Sequence, residues 1–264
     1  MYTNPVGLKR RMMNQGRVGR LSRLTLMRLG VLLIVGQLLW LGHFTPAIAQ
    51  MAGPSEASVA SEVFEGDPWE PLNERIFSFN RNVFDRFILK PIATVWDAVL
   101  PEPAQRSVHN AVNNLGVVRR LTNNLLQLKW AGAGREVTRF TINSTIGVGG
   151  LFDVAKNGFG IEQSDEDTGQ TLGVYGLGPG PYLVLPLLPV MTVRDGFGFA
   201  ADAAMNPLSY FIPTGATLGI YATDGVNERS LNLTTFEQVE ESVIDLYGAV
   251  RDGYLQRREA AIKE

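Results

Sequence analysis

The stretch Gly178-Pro-Gly-Pro-Tyr-Leu-Val-Leu-Pro-Leu-Leu-Pro-Val190 is strongly apolar, yet it carries four prolines. Each proline removes a backbone donor and clashes with the preceding turn, so the segment cannot run as a regular membrane-crossing helix. A central strand is disfavoured as well, because its ladder needs every N–H. Leu183, Val184, Leu185, Leu187 and Leu188 make it too apolar for an ordinary surface loop. What remains is a bent segment held out of water.

The neighbourhood extends that reading. No charged residue occurs from Thr168 to Val193 or from Ala203 to Thr223, and only Arg194, Asp195 and Asp202 lie between. Such a region is either the core of a soluble domain or a surface in contact with lipid. Its length favours lipid, since irregular backbone is tolerated at membrane depth where it packs on protein or lines a cavity. Thr192 to Met205 reads as a helix with a face of Gly196, Gly198, Ala200, Ala201, Ala203 and Ala204, a composition that lets helices approach closely.

Toward the N-terminus the pattern is helical. Ile76, Phe77, Phe79, Asn80, Val83, Phe84, Phe87 and Ile88 recur at spacings of three and four. The Phe77, Phe79, Phe84 and Phe87 stripe reads as core packing before it reads as a ligand site. Lys90-Pro91 is expected to break or restart this helix. Further helices follow through Val108, Val112 and Leu115, through Leu121 to Leu128 after Gly116, and from Arg135 to Ile146. Gly147 to Asp153 is a tight bend before a short helix. Asn227 to Lys263 reads as a charged surface helix. The fold class is all-α.

The first 66 residues differ in character. No acidic residue precedes Glu56, while Lys9, Arg10, Arg11, Arg17, Arg20, Arg23 and Arg28 precede an apolar run from Leu29 to Gly42 and an Ala47-Ile48-Ala49 cleavage pattern. Residues 1–49 therefore read as a signal peptide, cleaved or kept as an anchor. Residues 50–66 read as a polar tether, and residues 67–264 as one helical domain. All 26 acidic residues lie beyond the arm, so the rest of the chain is acidic and nucleic-acid binding is excluded. With no cysteine in the sequence, thiolate metal sites, cysteine nucleophiles and disulfides are excluded. His109 is the single histidine beyond the arm. No G-x-S-x-G elbow is present, so it reads as structural. Asp165-Glu166-Asp167 lacks the ligand spacing of a calcium loop and reads as a solvated loop with Asp167 capping a helix from Thr168. The glycines of Gly173 to Tyr182 lack a dinucleotide fingerprint. No cofactor or metal is expected.

The segments DPWEPLNERIFSFNRNVFDRFILKPIA, NNLGVVRRLTNNLLQ, RFTINSTIGVGGLFDVA, DTGQTLGVYGLGPGPYLVLPLLP and TVRDGFG, which span roughly residues 67 to 213, resemble the MlaA (VacJ) family. The resemblance implies a ring of mostly amphipathic helices embedded in one leaflet of the outer membrane. A central amphipathic channel would move mislocalised phospholipids from the outer leaflet to a soluble periplasmic carrier. It also implies a trimeric porin as neighbour, a location on the periplasmic face and no enzymatic activity. The family's lipid-anchor cysteine has no counterpart in this sequence. For such a channel, Leu183, Val184, Leu185, Leu187 and Leu188 are candidates for the tail path. Tyr182, Asn143, Thr145, Arg194 and Asp195 are candidates for the polar side, with Arg194 paired to Asp195 or Asp202 or meeting a lipid phosphate. A porin-binding scaffold without transport and a lipid hydrolase are the alternatives.

Overall fold

The computed structural model describes residues 67–264; the signal and tether expectations lie outside the described residues. The fold is almost entirely helical. A first long rod consists of α1 (Glu70–Phe79), a π-helical stretch (Asn80–Leu89) and α2 (Lys90–Val99). Then come α3 (Glu102–Leu115), α4 (Val117–Leu126), α5 (Trp130–Thr145), α6 (Val154–Phe159) and α7 (Thr168–Val174). Two strands of two residues, β1 (Tyr182–Leu183) and β2 (Met191–Thr192), pair antiparallel, Tyr182 opposite Thr192. The chain finishes with α8 (Val193–Ala204), α9 (Leu208–Phe211), α10 (Thr214–Leu231), α11 (Leu233–Ser242) and α12 (Leu246–Lys263).

Lys90-Pro91 restarts the helix, as α2 after the π-helical stretch, without breaking the rod. The Lys90 N–H reaches back five residues to the Asp85 carbonyl, and this widened turn makes room for the proline ring that an α-helical turn would exclude. The C-terminal region is likewise not one surface helix. It is interrupted at Asn232 and at Val243–Asp245, and α12 buries Tyr247, Tyr254, Leu255 and Arg258. The bend after α5 needs three successive left-handed residues, Val148, Gly149 and Gly150, which glycine adopts without strain. A Cβ on Gly198 would sit 2.3 Å from the Gly169 backbone nitrogen, so α7 and α8 cross at backbone contact.

The proline-rich segment folds over the first rod and α12. Tyr182, Val184 and Val190 form a small apolar core with Tyr247, Tyr254 and Leu255. Two asparagines read its backbone as a neighbouring strand would. Asn73 donates to the Tyr182 carbonyl at 3.0 Å and accepts from the Val184 N–H at 2.9 Å. Asn80 donates to the Leu185 carbonyl at 2.9 Å and accepts from the Leu187 N–H at 2.8 Å. Seven helical residues rise about 10 Å, and three extended residues also advance about 10 Å, so the two spacings match.

Polar and apolar residues are otherwise distributed against the usual order. The largest fully buried side chains include Gln105, Glu136, Asn73, Asn123, Asn124 and Asn227. They are bonded to one another or to backbone: Glu136 accepts from Arg120 and the Ser164 N–H, and Gln105, Asn227, Ser230 and Trp96 form a chain across α2, α3 and α10. Outside, the rod exposes Phe79, Val83, Phe87, Ile88, Ile92, Val95 and Val99. The Phe79 and Phe87 positions are thus outward rather than core. Trp130, Ile146, Val148, Phe152, Phe197, Tyr210 and Phe211 are exposed as well. Among the described residues no helix is long and apolar enough to cross a membrane.

Candidate functional site

A cavity of about 230 Å³ lies where α3, α4, α8, α10 and α12 converge. The helix break at Gly116 brings Arg119 and Arg120 to it from α4, and His109, Val112 and Asn113 come from α3. Pro189, Val190 and Met191 from the end of the proline-rich segment give it an apolar wall, joined by Phe199 and Met205. Asp195, Asp202, Tyr221 and Asp224 supply oxygen. The enclosure is amphipathic, part hydrocarbon and part ionic.

Its floor is an ion-pair web. Arg258 of α12 bridges Asp167 and Asp195, the latter at 2.8 Å. Arg194 also pairs with Asp195 at 2.9 Å, and Tyr254 donates to Asp195. Burial pushes the Asp167 and Asp195 carboxyls up, but the Arg258 guanidinium outweighs it and holds both below their ordinary value. Asp202 has no such base; burial raises it. On the far wall the Nδ1 of His109 lies 3.4 Å from both Asp224 and Glu228, and burial, then Asp224, holds Glu228 well above its ordinary value. Burial also pushes Tyr221 up to about 12.

Of the sequence candidates, Asp195 lines the cavity and Arg194 stands directly behind it as its partner. Tyr182 and Val184 are buried against α12. Leu183, Leu185, Leu187 and Leu188 are half-buried beside the Pro189–Val190 wall. Asn143 lies elsewhere, bonded to Asp153 and the Ala155 N–H. The exposed Thr145 hydroxyl returns to the Thr141 carbonyl at 2.6 Å. The cavity residues that sequence reasoning passed over, Arg119, Tyr221 and Asp224, and Asp202, which it considered only as a partner for Arg194, come from helices far apart in sequence. Their convergence leaves no local spacing to read; the double base Arg119-Arg120 after Gly116 was the one available signal. Asp167 caps α7 as expected, accepting from the Gln170 N–H at 2.8 Å.

Comparison with known proteins places these features in a lineage. Residues 65–261 match the family described as MlaA lipoprotein. The intermembrane phospholipid transport system lipoprotein MlaA of Escherichia coli is 34% identical over 195 residues, 73% of this chain and 77% of that one. The protein of the same name in Haemophilus influenzae is 30% identical over 220 residues, 83% and 87% of the two chains. A solved structure, described as the structural basis for maintenance of bacterial outer membrane lipid asymmetry, superposes with a TM-score of 0.68 at 31% identity, covering 75% of this chain and all of that one. The all-helical frame, the proline-rich segment folded onto it and the matched length lead to one conclusion: the chain belongs to the MlaA lipoprotein family.

Proposed function

We propose that this protein is a phospholipid-translocating component of the outer membrane, seated in the periplasmic leaflet, that takes mislocalised phospholipid from the outer leaflet and releases it toward a soluble periplasmic carrier beside a trimeric porin. One observation carries the reading. The molecule turns large apolar side chains outward and keeps Gln, Asn, Glu and Arg inside, around an amphipathic cavity. In water an apolar surface of that extent is unfavourable; in a leaflet it is solvated, and the bonded polar interior around the cavity offers a hydrophilic lining for a head group. Immersion of this band would hold the protein in place without a cysteine-linked lipid. The half-buried Leu183, Leu185, Leu187 and Leu188 would supply surface for the tails, next to the cavity that receives the head group.

The test is flotation with vesicles of bacterial phospholipid. Wild-type protein should float. Phe87→Asp combined with Val95→Asp, both on the exposed face of the first rod, should leave the detergent-solubilised fold intact and cut flotation severely. Undiminished flotation of the double variant would remove the basis for leaflet immersion.

A further inference from the structure

Arg119 is the odd member among the bases of this protein. Nearly every base withdrawn from solvent holds a carboxylate: Arg120 with Glu136, Arg139 with Asp153, Arg194 with Asp195, Arg229 with Asp85, and Arg258 with Asp167 and Asp195. The half-exposed Arg81, Lys90, Lys129, Arg251 and Arg257 are paired as well. Arg75, Arg86 and Arg135 have no ion pair among the described residues, but these are exposed. Arg119 is half-buried, lines the cavity, and has no carboxylate within ion-pair distance among the described residues. Withdrawing a guanidinium from water without a counter-ion is unfavourable. A protein that pairs its other sheltered bases has left this one open toward the cavity.

The cavity also has an uncompensated acidic side. Asp202 accepts from the Thr168 hydroxyl at 2.6 Å and from the Asn123 amide at 3.2 Å, and no base among the described residues pairs with it. Asp224 faces the His109 imidazole and, among the described residues, has no ion pair with a lysine or arginine. Arg119 acts electrostatically on Asp202, so the opposite charges share one enclosure without touching. A ligand carrying phosphate at one end and ammonium a few bonds away satisfies both poles at once. Guanidinium suits the phosphate because its fork of donors matches phosphate oxygens.

We infer that the cavity is a head-group site for a zwitterionic phospholipid of the phosphoethanolamine type, in which Arg119 binds the phosphate and the Asp202–Asp224 side receives the ammonium. The inference rests on the lipid-translocation reading and gives it a head group and a ligand residue. On this account the apolar wall of Pro189, Val190 and Met191 takes the start of the acyl chains.

The experiment uses full-length protein, solubilised and stripped of lipid, titrated with four probes: phosphatidylethanolamine, phosphatidylglycerol, diacylglycerol with the same chains, and inorganic phosphate. Phosphatidylethanolamine should bind most tightly. Arg119→Gln should weaken it about tenfold or more, leave diacylglycerol unchanged and leave the melting temperature unchanged, since no side-chain bond is lost. Arg119→Lys, which keeps the charge, should fall in between. Equal affinity of wild type and Arg119→Gln for phosphatidylethanolamine overturns the assignment of Arg119. Equal affinity for phosphatidylglycerol overturns the ammonium half. Arg119-dependent binding of inorganic phosphate without competition by phospholipid overturns the lipid assignment in favour of a free anion. Wild type that binds none of the lipids removes the translocation reading itself, a result separable from the others.

Discussion

Replacing Asn73 by alanine isolates the clamp that fixes the proline-rich segment. The side chain is fully buried and serves two backbone groups, the Tyr182 carbonyl and the Val184 N–H, in residues that are themselves 4% and 1% exposed. Neither group can turn to water after the substitution. A buried polar group left without its partner costs about 1–3 kcal/mol, so two together should cost about 3–4 kcal/mol. Asn73 also donates to Asp67 at 2.8 Å, which in turn accepts from Tyr247, so the loss extends to the contact with α12. For a domain of this size each kcal/mol lowers the melting temperature by about 2–4 °C, and Asn73→Ala should melt roughly 10 °C below wild type. Circular dichroism of the detergent-solubilised protein, heated at one fixed rate, measures this directly. Asn82→Ala is the matched control: its amide reaches only Ser78 and is exposed, so its effect should stay within about 0.5 kcal/mol. If Asn73→Ala melts with the control, the asparagines do not hold the segment and the account of how a proline-broken strand is satisfied is wrong.

Gly198→Ala should be poorly tolerated, because its methyl group meets the Gly169 backbone rather than a movable side chain; the yield of folded protein reads this out, with Gly219→Ala, which meets nothing within 4 Å, stable or slightly stabilised. Arg258→Leu leaves Asp167 and Asp195 facing each other across a buried site and should destabilise by about 3–5 kcal/mol, with early proteolysis of α12. Asp167 and Asp195 have lowered carboxyl values, so the stability they contribute is present above the ordinary Asp range and is lost as pH falls below about 4; acid titration of wild type against Arg258→Leu should show the wild-type curve falling more steeply there. Glu228 has the opposite sign: its raised value means the folded state holds a proton that the unfolded chain releases, so it lowers stability as pH rises above the ordinary Glu range. Glu228→Gln should therefore match wild type near pH 4 and melt higher at pH 7–8.

Much of the helical layout is legible in the residues. Gly116 separates two helices, Asp167 starts α7 and Thr192 starts α8, because caps and glycines act locally. Pro91 is half legible: a helix does restart at Lys90, but the wider turn that keeps the rod continuous depends on neighbours rather than on the dipeptide. The phenylalanine stripe misleads outright. Hydrophobic periodicity finds an apolar face but not the direction in which it points, and here Phe79 and Phe87 face outward. The same inversion hides Asn73, Gln105 and Glu136, whose types read as surface when the interior is taken to be apolar. The Arg194–Asp195 pair is adjacent in sequence and could be anticipated; Arg258, which completes the web from α12, is 63 residues from Asp195 and could not. The cavity lies between these cases. Its apolar wall belongs to the segment whose composition drew notice, while its charged walls are assembled only by the tertiary fold.

The asparagine clamp also dictates an order of events. Asn73 bonds to groups 109 and 111 residues further along, and Asp85 awaits Arg229, 144 residues away. Contacts of that span form late, since a long loop must close before any of them repays the closure. As the chain emerges from its N-terminus, the first rod therefore waits without its partners until the proline-rich segment has followed it, and without its anchor until α10 has arrived. Through that interval Asn73 and Asp85 stand without the groups that later satisfy them, which makes the closing of these long loops the event that completes the polar side of the rod.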